Sequence, residues 1–369
     1  MSGKNTKDFV FESKVPNDRI DIYAEPDIII KKLKPLNEDE FRIELEGLAI
    51  DNSVVNGLRR TVMMSIPIYA FHRSNVHIEV KRSRHMYNND LLYNQIETLP
   101  IYDIPNYFDL ENPEIFLTTE VMKNLFGNFV QEKYTEETDN ETNIVADANK
   151  KLYKIELSIS VKNNTDNNRF VTSHDAILKV DGKIANSYKI RKPIAIMVLK
   201  PTEEIYLSAE ANLGISKMYA SYEATTPAIH DEISPTKYHL WYETLGQLDK
   251  NIIFTKACII LTKKLENLRK FISNKYKEER DVSDIIELQL YGEDHTLGNL
   301  LATVLQKCDF VEKAGYYMPH PFIDQITIAY KLLPKSKKGP IRVLTDCIEY
   351  LIKLFDKISN LSVKSKDGR

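Results

Sequence analysis

From Ile28 onward the apolar positions fall into regular periods. Phe41, Ile43 and Leu45 alternate with Arg42, Glu44 and Glu46, the two-residue period of a strand with one buried face. Residues 47–52 read as a turn, and Asp51, Asn52 and Ser53 are each suited to cap a helix. Residues 54–66 read as that helix, with Val55, Leu58, Val62 and Ile66 on one face and Pro67 as its stop. Arg59 falls about 40° from Val55 at 100° per residue, inside the edge of the apolar stripe. Asn56 and Arg60, at i and i+4, share the neighbouring face. Both arginines are therefore expected to face a partner and not bulk water.

Residues 68–235 read mostly as β structure. Val76, Ile78 and Val80 alternate; 152–161 places Ile155, Leu157, Ile159 and Val161 on one face; 193–199 and 205–211 read as two further strands. Residues 132–143 are acidic and poor in apolar side chains, which predicts a flexible loop, and 163–168 read as a hairpin tip. Tyr238, Leu240 and Tyr242 alternate as another strand. Asp249 or Asn251 then opens a long helix to about Lys275, striped by Ile253, Ala257, Ile260, Leu261, Leu265, Leu268 and Ile272. A charged linker over 276–283 leads to a strand at 285–290, a helix at 297–307 bearing Leu300 and Val304, and a strand at 325–333. A basic loop at 334–340 precedes a last helix over 341–361, carrying Leu344, Ile348, Ile352, Phe355 and Ile358. Residues 1–25 are polar and irregular and read as a leader.

Two stretches echo each other. Residues 51–58 read Asp-Asn-Ser-Val-Val-Asn-Gly-Leu and residues 294–301 read Asp-His-Thr-Leu-Gly-Asn-Leu-Leu, an offset of 243 residues. In both a strand precedes and a helix follows, and a further strand and a long helix close the unit. The expected architecture is α+β: a first dimerisation unit from 26–67 plus 236–275, an insertion over 68–235, and a second dimerisation unit over 284–369. Each unit has one sheet layer and one helical layer, so its second apolar helix face is buried only against a like unit. The expectation is a pair about a pseudo-two-fold axis, its effective concentration raised by the linker. Its core would be Val55, Leu58, Val62, Ile253, Ile260, Leu268, Leu300, Val304, Ile348, Ile352 and Phe355, each buried large side chain contributing ~1.5–3 kcal/mol.

Composition narrows the function. The 369 residues hold 50 Lys and Arg against 53 Asp and Glu, a net charge of −3, which weighs against a chain whose main work is neutralising phosphates. Cys258, Cys308 and Cys347 form no C-x-x-C pair, which excludes a four-cysteine zinc site, argues against a disulfide framework and points to a reducing compartment. No apolar run approaches a membrane span, the first residues lack the apolar core of a signal peptide, and the 12 glycines form no phosphate-binding loop. Asp294, His295 and Thr296 read as a helix cap and tight turn rather than a catalytic cluster, since His295 has no suitably spaced Ser or Cys. His72, His77 and His85 match no zinc spacing and read as surface residues, and His320, between two prolines, as a rigid turn. The basic runs 335–338 and 364–369 read as a solvated loop and a frayed tail.

Asp51-Asn-Ser-Val-Val-Asn-Gly-Leu-Arg-Arg60, closed by Ile66-Pro67, is similar to the signature of the α-like subunits of multisubunit DNA-directed RNA polymerases: the bacterial alpha subunit, the archaeal D-type subunit and the third-largest subunit of eukaryotic polymerase II. Glu293-Asp-His-Thr-Leu-Gly-Asn-Leu-Leu301, followed by Ala314-Gly-Tyr-Tyr-Met-Pro-His-Pro321, closely resembles the smaller partner, the archaeal L-type subunit or the eukaryotic eleventh subunit. Weaker agreement covers 203–217 and Thr244-Leu-Gly-Gln247, so the resemblance spans most of 27–361. One chain with both partners looks like the fused subunit of nucleocytoplasmic large DNA viruses. The chain departs from the pattern at Asn94-Gln95, where relatives often carry His-Arg, and at Met218, where a tryptophan is common. It has no cysteine in 68–235, so the resemblance implies neither the four-cysteine nor the iron–sulfur site some relatives hold there.

The resemblance implies a non-catalytic assembly platform without cofactor or metal. Its partners would be the two largest, β-like and β′-like, polymerase subunits and a small subunit of the tenth-subunit type, with DNA and RNA met only through the complex and no membrane. Asp51, Asn56, Arg59, Arg60, Asp294, His295, Thr296 and Asn299 are the expected large-subunit interface. The expected location is the cytoplasmic viral factory and the virion. The competing readings are a metal-dependent enzyme housed in the insertion, which lacks a ligand cluster, and a standalone nucleic-acid-binding module, which the net charge opposes.

Overall fold

The structure is a computed structural model that describes residues 19–81, 89–102, 104, 117, 119–127, 153–276, 285–320, 322–323, 325–334, 336 and 338–364. Most of the leader, the acidic stretch 132–143, His85, all but Tyr276 of the linker, Lys335, Lys337 and the tail beyond Lys364 lie outside the described residues.

In chain order, β1 (Ile29–Lys32) and β2 (Glu40–Glu46) lead into α1 (Asn52–Met64) and β3 (Ile68–Lys81). Then come α2 (Asn89–Glu97), α3 (Thr119–Phe126), β4 (Ile155–Lys162), β5 (Arg169–Thr172), β6 (Ala176–Val180), β7 (Lys183–Ala185), the single-turn α4 (Ser187–Ile190), β8 (Ala195–Leu199) and β9 (Glu204–Gly214). β10 (Thr225–Ser234), β11 (Lys237–Thr244) and α5 (Lys250–Lys275) come next, and β12 (Ile286–Tyr291), α6 (His295–Lys307), β13 (Val311–Tyr317), β14 (Gln325–Leu332) and α7 (Pro340–Lys364) complete the chain.

The two repeated segments build sheets of matching strand order. One runs β1-β2-β11-β10 and the other β12-β14-β13, all antiparallel, so β2 and β12, β11 and β14, and β10 and β13 hold equivalent places. Phe41, Ile43 and Leu45 face inward opposite Tyr242, Leu240 and Tyr238, and the Phe41 ring stacks on Tyr242 at 5.0 Å and on Phe254 of α5 at 5.1 Å. Ile286, Leu288 and Leu290 meet Tyr330, Ile328 and Ile326 in the second sheet.

Sequence periodicity does not reveal β10 and β13, and both are edge strands. Each buries only its first and fourth residues early on: Thr225 and Ala228 in one, Val311 and Ala314 in the other. β10 also holds Pro227 at a register shift, a position that only an edge or bulge tolerates. Because β10 pairs with β11, the first sheet reaches back to Thr225, inside the stretch that the sequence assigns to the insertion.

The rest of the insertion is a five-stranded sheet, β3-β9-β4-β6-β7, and a two-stranded one, β5-β8. The segment 163–168 is not a hairpin tip, because β4 and β5 belong to different sheets. Asn163 is buried there and its amide donates to Asn167 O (2.8 Å) and Leu199 O (3.1 Å), so the turn is held by a side chain in place of a ladder. α2 and α3 are helices where the pattern predicts β structure. They bury Leu92 and Ile96, and Val121 and Leu125, at i and i+4, too few turns to stand without the β3 and α5 surfaces they rest on.

The helical layers meet between the repeats. α5 and α7 lie against each other along their lengths. Thr262 donates to Asp356 (3.1 Å) and Arg269 pairs with Glu349 (3.6 Å), so numbers rise along one helix as they fall along the other: the pair is antiparallel. The end of the leader is ordered against the second repeat. Ile20 N donates to Lys307 O (2.9 Å), Tyr23 Oη donates to Asp346 (2.6 Å), and Lys357 donates to Pro26 O (2.6 Å). No described helix is long and apolar enough to cross a membrane.

Candidate interaction site at the repeated motifs

Each motif begins with a cap. Asp51, in extended backbone, accepts from Val54 N (3.1 Å) and from Ser53 Oγ (2.6 Å); of the three candidate caps it is the one the helix uses. Asp294 does the same for α6, accepting from Thr296 N at 2.8 Å. Both carboxylates thus sit where the helix dipole favours negative charge.

The two caps are bound reciprocally across the repeats. Lys307, in the last turn of α6, places Nζ 2.7 Å from Asp51 Oδ2. Arg60 of α1 donates through Nε to Thr296 Oγ1 (2.7 Å) and holds Nη2 3.4 Å from Asp294 Oδ2. Arg60 therefore finds its partner inside the chain. Burial opposes ionisation of Asp294, but hydrogen bonds from the Thr296 side chain and backbone, with Lys217 and Lys264 nearby, hold its carboxyl down at about 2.

Between these ion pairs the helices touch closely. A Cβ on Gly57 would lie 3.2 Å from the Leu300 side chain, tighter than an ordinary contact, so the missing side chain lets α1 and α6 approach closely here. Gly57 and Leu300 are each six residues beyond their cap aspartate. Val55, Leu58 and Val62 of α1, Leu300 and Val304 of α6, Ile253, Ile260 and Leu268 of α5, and Ile348, Ile352 and Phe355 of α7 are all buried in one continuous core.

The outer side of the crossing is polar. Arg59 donates through Nε and Nη2 to Asn56 Oδ1 (3.0 and 2.9 Å) and reaches Ala228 O at 3.5 Å. Burial, then the neighbouring Arg60 charge, lowers its pKa. His230 lies hydrogen-bonded to Asn52 (2.9 Å), its pKa lowered by burial and then by Arg59. His295 is exposed, with its ring edge-on to Tyr316 at 5.8 Å, and Asn299 is half-buried on α6. Behind Asp294, the buried Glu293 takes an ion pair from Lys264 at 2.9 Å; burial pushes its carboxyl up, and its Oε1 has no partner.

Other sequence candidates serve local structure. His72 bonds Ser74 (2.8 Å) beside Tyr219, and His320 accepts from Phe322 N (3.1 Å) in a turn. Lys338 of the basic loop folds back at the surface onto Tyr23 and Asp346, hydrogen-bonded to Tyr23 Oη, 3.3 Å from Asp346 and over the Tyr23 ring. The described residues hold no group of three or more His, Cys, Asp or Glu arranged for a metal. Lys264 and Lys307 escape the sequence reading because their carboxylates lie 29 and 256 residues away; a cation in the last turn of α6 is the one weak signal.

With this geometry in place, known proteins supply a frame. Residues 285–361 match the RNA polymerase Rpb3/Rpb11 dimerisation domain. Over 353 residues, 96% of this chain and 99% of the relative, the sequence is 54% identical to a DNA-directed RNA polymerase subunit of Acanthamoeba polyphaga mimivirus. It is also 45% identical over 67 residues to DNA-directed RNA polymerase subunit Rpo11 of Saccharolobus shibatae, 18% of this chain and 71% of the relative. The Rpo11 of Saccharolobus islandicus gives 44% over 73 residues, 20% of this chain and 74% of that protein.

Proposed function

The chain belongs to the RNA polymerase subunits of the Rpb3/Rpb11 type, with both partners fused in one polypeptide, and on that premise we propose that it is the assembly platform of a viral DNA-directed RNA polymerase. In this reading the first and second dimerisation units pair within the chain about a pseudo-two-fold axis, and the paired surface receives the two largest, catalytic subunits. The platform performs no chemistry, takes a small subunit of the tenth-subunit type alongside, and meets DNA and RNA only through the complex. It works in the cytoplasmic viral factory and is carried in the virion.

The crossing of α1 and α6 carries this reading. A two-fold pair brings like positions together on its axis, and Gly57 meets Leu300 at the same distance from the two caps. The shared order of three strands in the two sheets and the antiparallel α5–α7 pair support the same arrangement. Asn56, Arg59, His295 and Asn299 offer the outward polar face for a large subunit, while Asp51, Arg60, Asp294 and Thr296 hold the two motifs in register behind it. Arginine suits this task because its planar fork binds carboxylates and carbonyls bidentately.

Affinity purification from infected cells or virions is the test. Both largest polymerase subunits are expected to copurify in stoichiometric amounts, and recovery of a lone monomer sinks the reading. Arg59→Glu should leave a folded chain that captures a large subunit poorly; unimpaired capture removes Arg59 from the docking face.

A further inference from the structure

Beside the crossing, α1, α3, α5 and the start of α6 enclose a small cleft lined by Arg60, Met64, Asn124, Lys217, Lys264 and Asp294, among others. We propose that this cleft seats one acidic side chain, an aspartate or glutamate, of a docking polymerase subunit. The inference deepens the platform reading and rests on it.

Charge is the first argument. Three cations, Arg60, Lys217 and Lys264, line the cleft, and Asp294 is the lining carboxylate. Hydrogen bonds and nearby cations keep Asp294 ionised. Lys264 is paired with the buried Glu293 at 2.9 Å and Arg60 with Asp294 at 3.4 Å, which leaves Lys217 as the lining cation without a carboxylate at ion-pair distance among the described residues. The cleft thus carries positive charge that its own walls do not balance. Its interior is shielded from solvent, where an incoming carboxylate gains more from each cation than it would on an open surface.

Donor geometry is the second. Arg60 uses Nε and Nη2 on Thr296 and Asp294, which leaves Nη1 for an arriving oxygen. Lys217 is fixed at the rim because its backbone N–H donates to Met64 O at 2.9 Å, tying it to the end of α1. Size is the third. The space is about 30 Å³, room for one or two waters and therefore for a planar carboxylate head.

The walls come from every part of the fold: α1 and α5 from the first unit, α3 and Lys217 from the insertion, Asp294 and Thr296 from the second unit. The cleft exists only when the repeats are paired. A partner that places its acid here recognises the assembled platform and not either half.

The test uses the full chain, co-expressed with the two largest polymerase subunits of the same virus. Lys217→Glu should lower capture of one large subunit about tenfold or more, because it sets like charges face to face. Lys217→Gln should weaken it less and flatten its salt dependence. Lys217→Gln should melt close to the wild type, since Lys217 makes its hydrogen bond through the backbone. Lys217→Glu also loses a favourable charge beside Asp294 and should melt somewhat lower, so the Gln variant is the one that separates docking from stability. An acid-to-lysine substitution in the partner that restores capture by Lys217→Glu identifies the seated residue. If the wild type captures the subunits and both variants match it at every salt concentration, the proposal is overturned and the platform reading stands. Loss of nucleic-acid retention with subunit capture intact also overturns it, in favour of a phosphate contact. If the wild type captures neither subunit, the platform reading falls and the proposal with it.

Discussion

Two helix crossings join the repeats, and they are built differently. α5 and α7 run antiparallel over about six turns, burying Ile253, Ile260, Leu265 and Leu268 on one side and Ile348, Leu351 and Phe355 on the other. α1 and α6 are 13 residues each, meet closely at Gly57 and Leu300, and are tied by Lys307–Asp51 and Arg60–Asp294. Apolar burial is strong and has no direction, so it holds the repeats together without choosing a register. A single close approach flanked by two cap-to-cation pairs contributes less energy but is satisfied in one alignment only. The long crossing supplies affinity and the short one supplies geometry, at the surface where the partner cleft forms.

The largest expected effect tests the long crossing. Phe355→Ala should cost about 3–5 kcal/mol in urea unfolding with an unchanged m-value, because it empties a fully enclosed site. A loss below about 1 kcal/mol would move the energetic centre elsewhere. Next, Gly57→Val should cost about 1–3 kcal/mol by driving methyl groups into Leu300. Adding Leu300→Ala should recover part of that loss, and the coupling read from the double-mutant cycle measures how tight the approach is. Strict additivity would mean the helices part freely.

Smaller effects test the ion pairs. The Asp294 carboxyl titrates near 2 in the fold, against 3.8 for an ordinary aspartate. A lowered carboxyl stabilises above the unfolded value and loses that stabilisation as pH falls. Wild type should therefore exceed Asp294→Asn by about 2 kcal/mol at neutral pH, with the gap closing between about pH 4 and pH 2; a gap independent of pH would remove the charge from the account. Lys307→Met should cost about 1 kcal/mol, read as a modest drop in melting temperature, since its ion pair with Asp51 keeps some solvent access.

Much of this fold is legible in the order of residues. The alternation at Phe41, Ile43 and Leu45, the helix after Asp51, the long stripes in α5 and α7, and the echo of 51–58 at 294–301 all take the expected form. They depend on neighbours within one or two turns, and such neighbours are written in the chain. The caps belong to this class, since Asp51 and Asp294 bond amides two or three residues away. β10 and β13 stay hidden because an edge strand with one sparse buried face has no two-residue signature, and α2 and α3 because short helices owe their stability to the surface beneath them.

The patterned strands, the capped helices, the repeat and the family to which they point could be taken from the sequence alone. Which cation answers each cap aspartate, which glycine marks the crossing, and where three cations converge on one cleft were settled only by folding. Those contacts join residues 29 to 256 positions apart, and no local period records a meeting made by packing two separate layers.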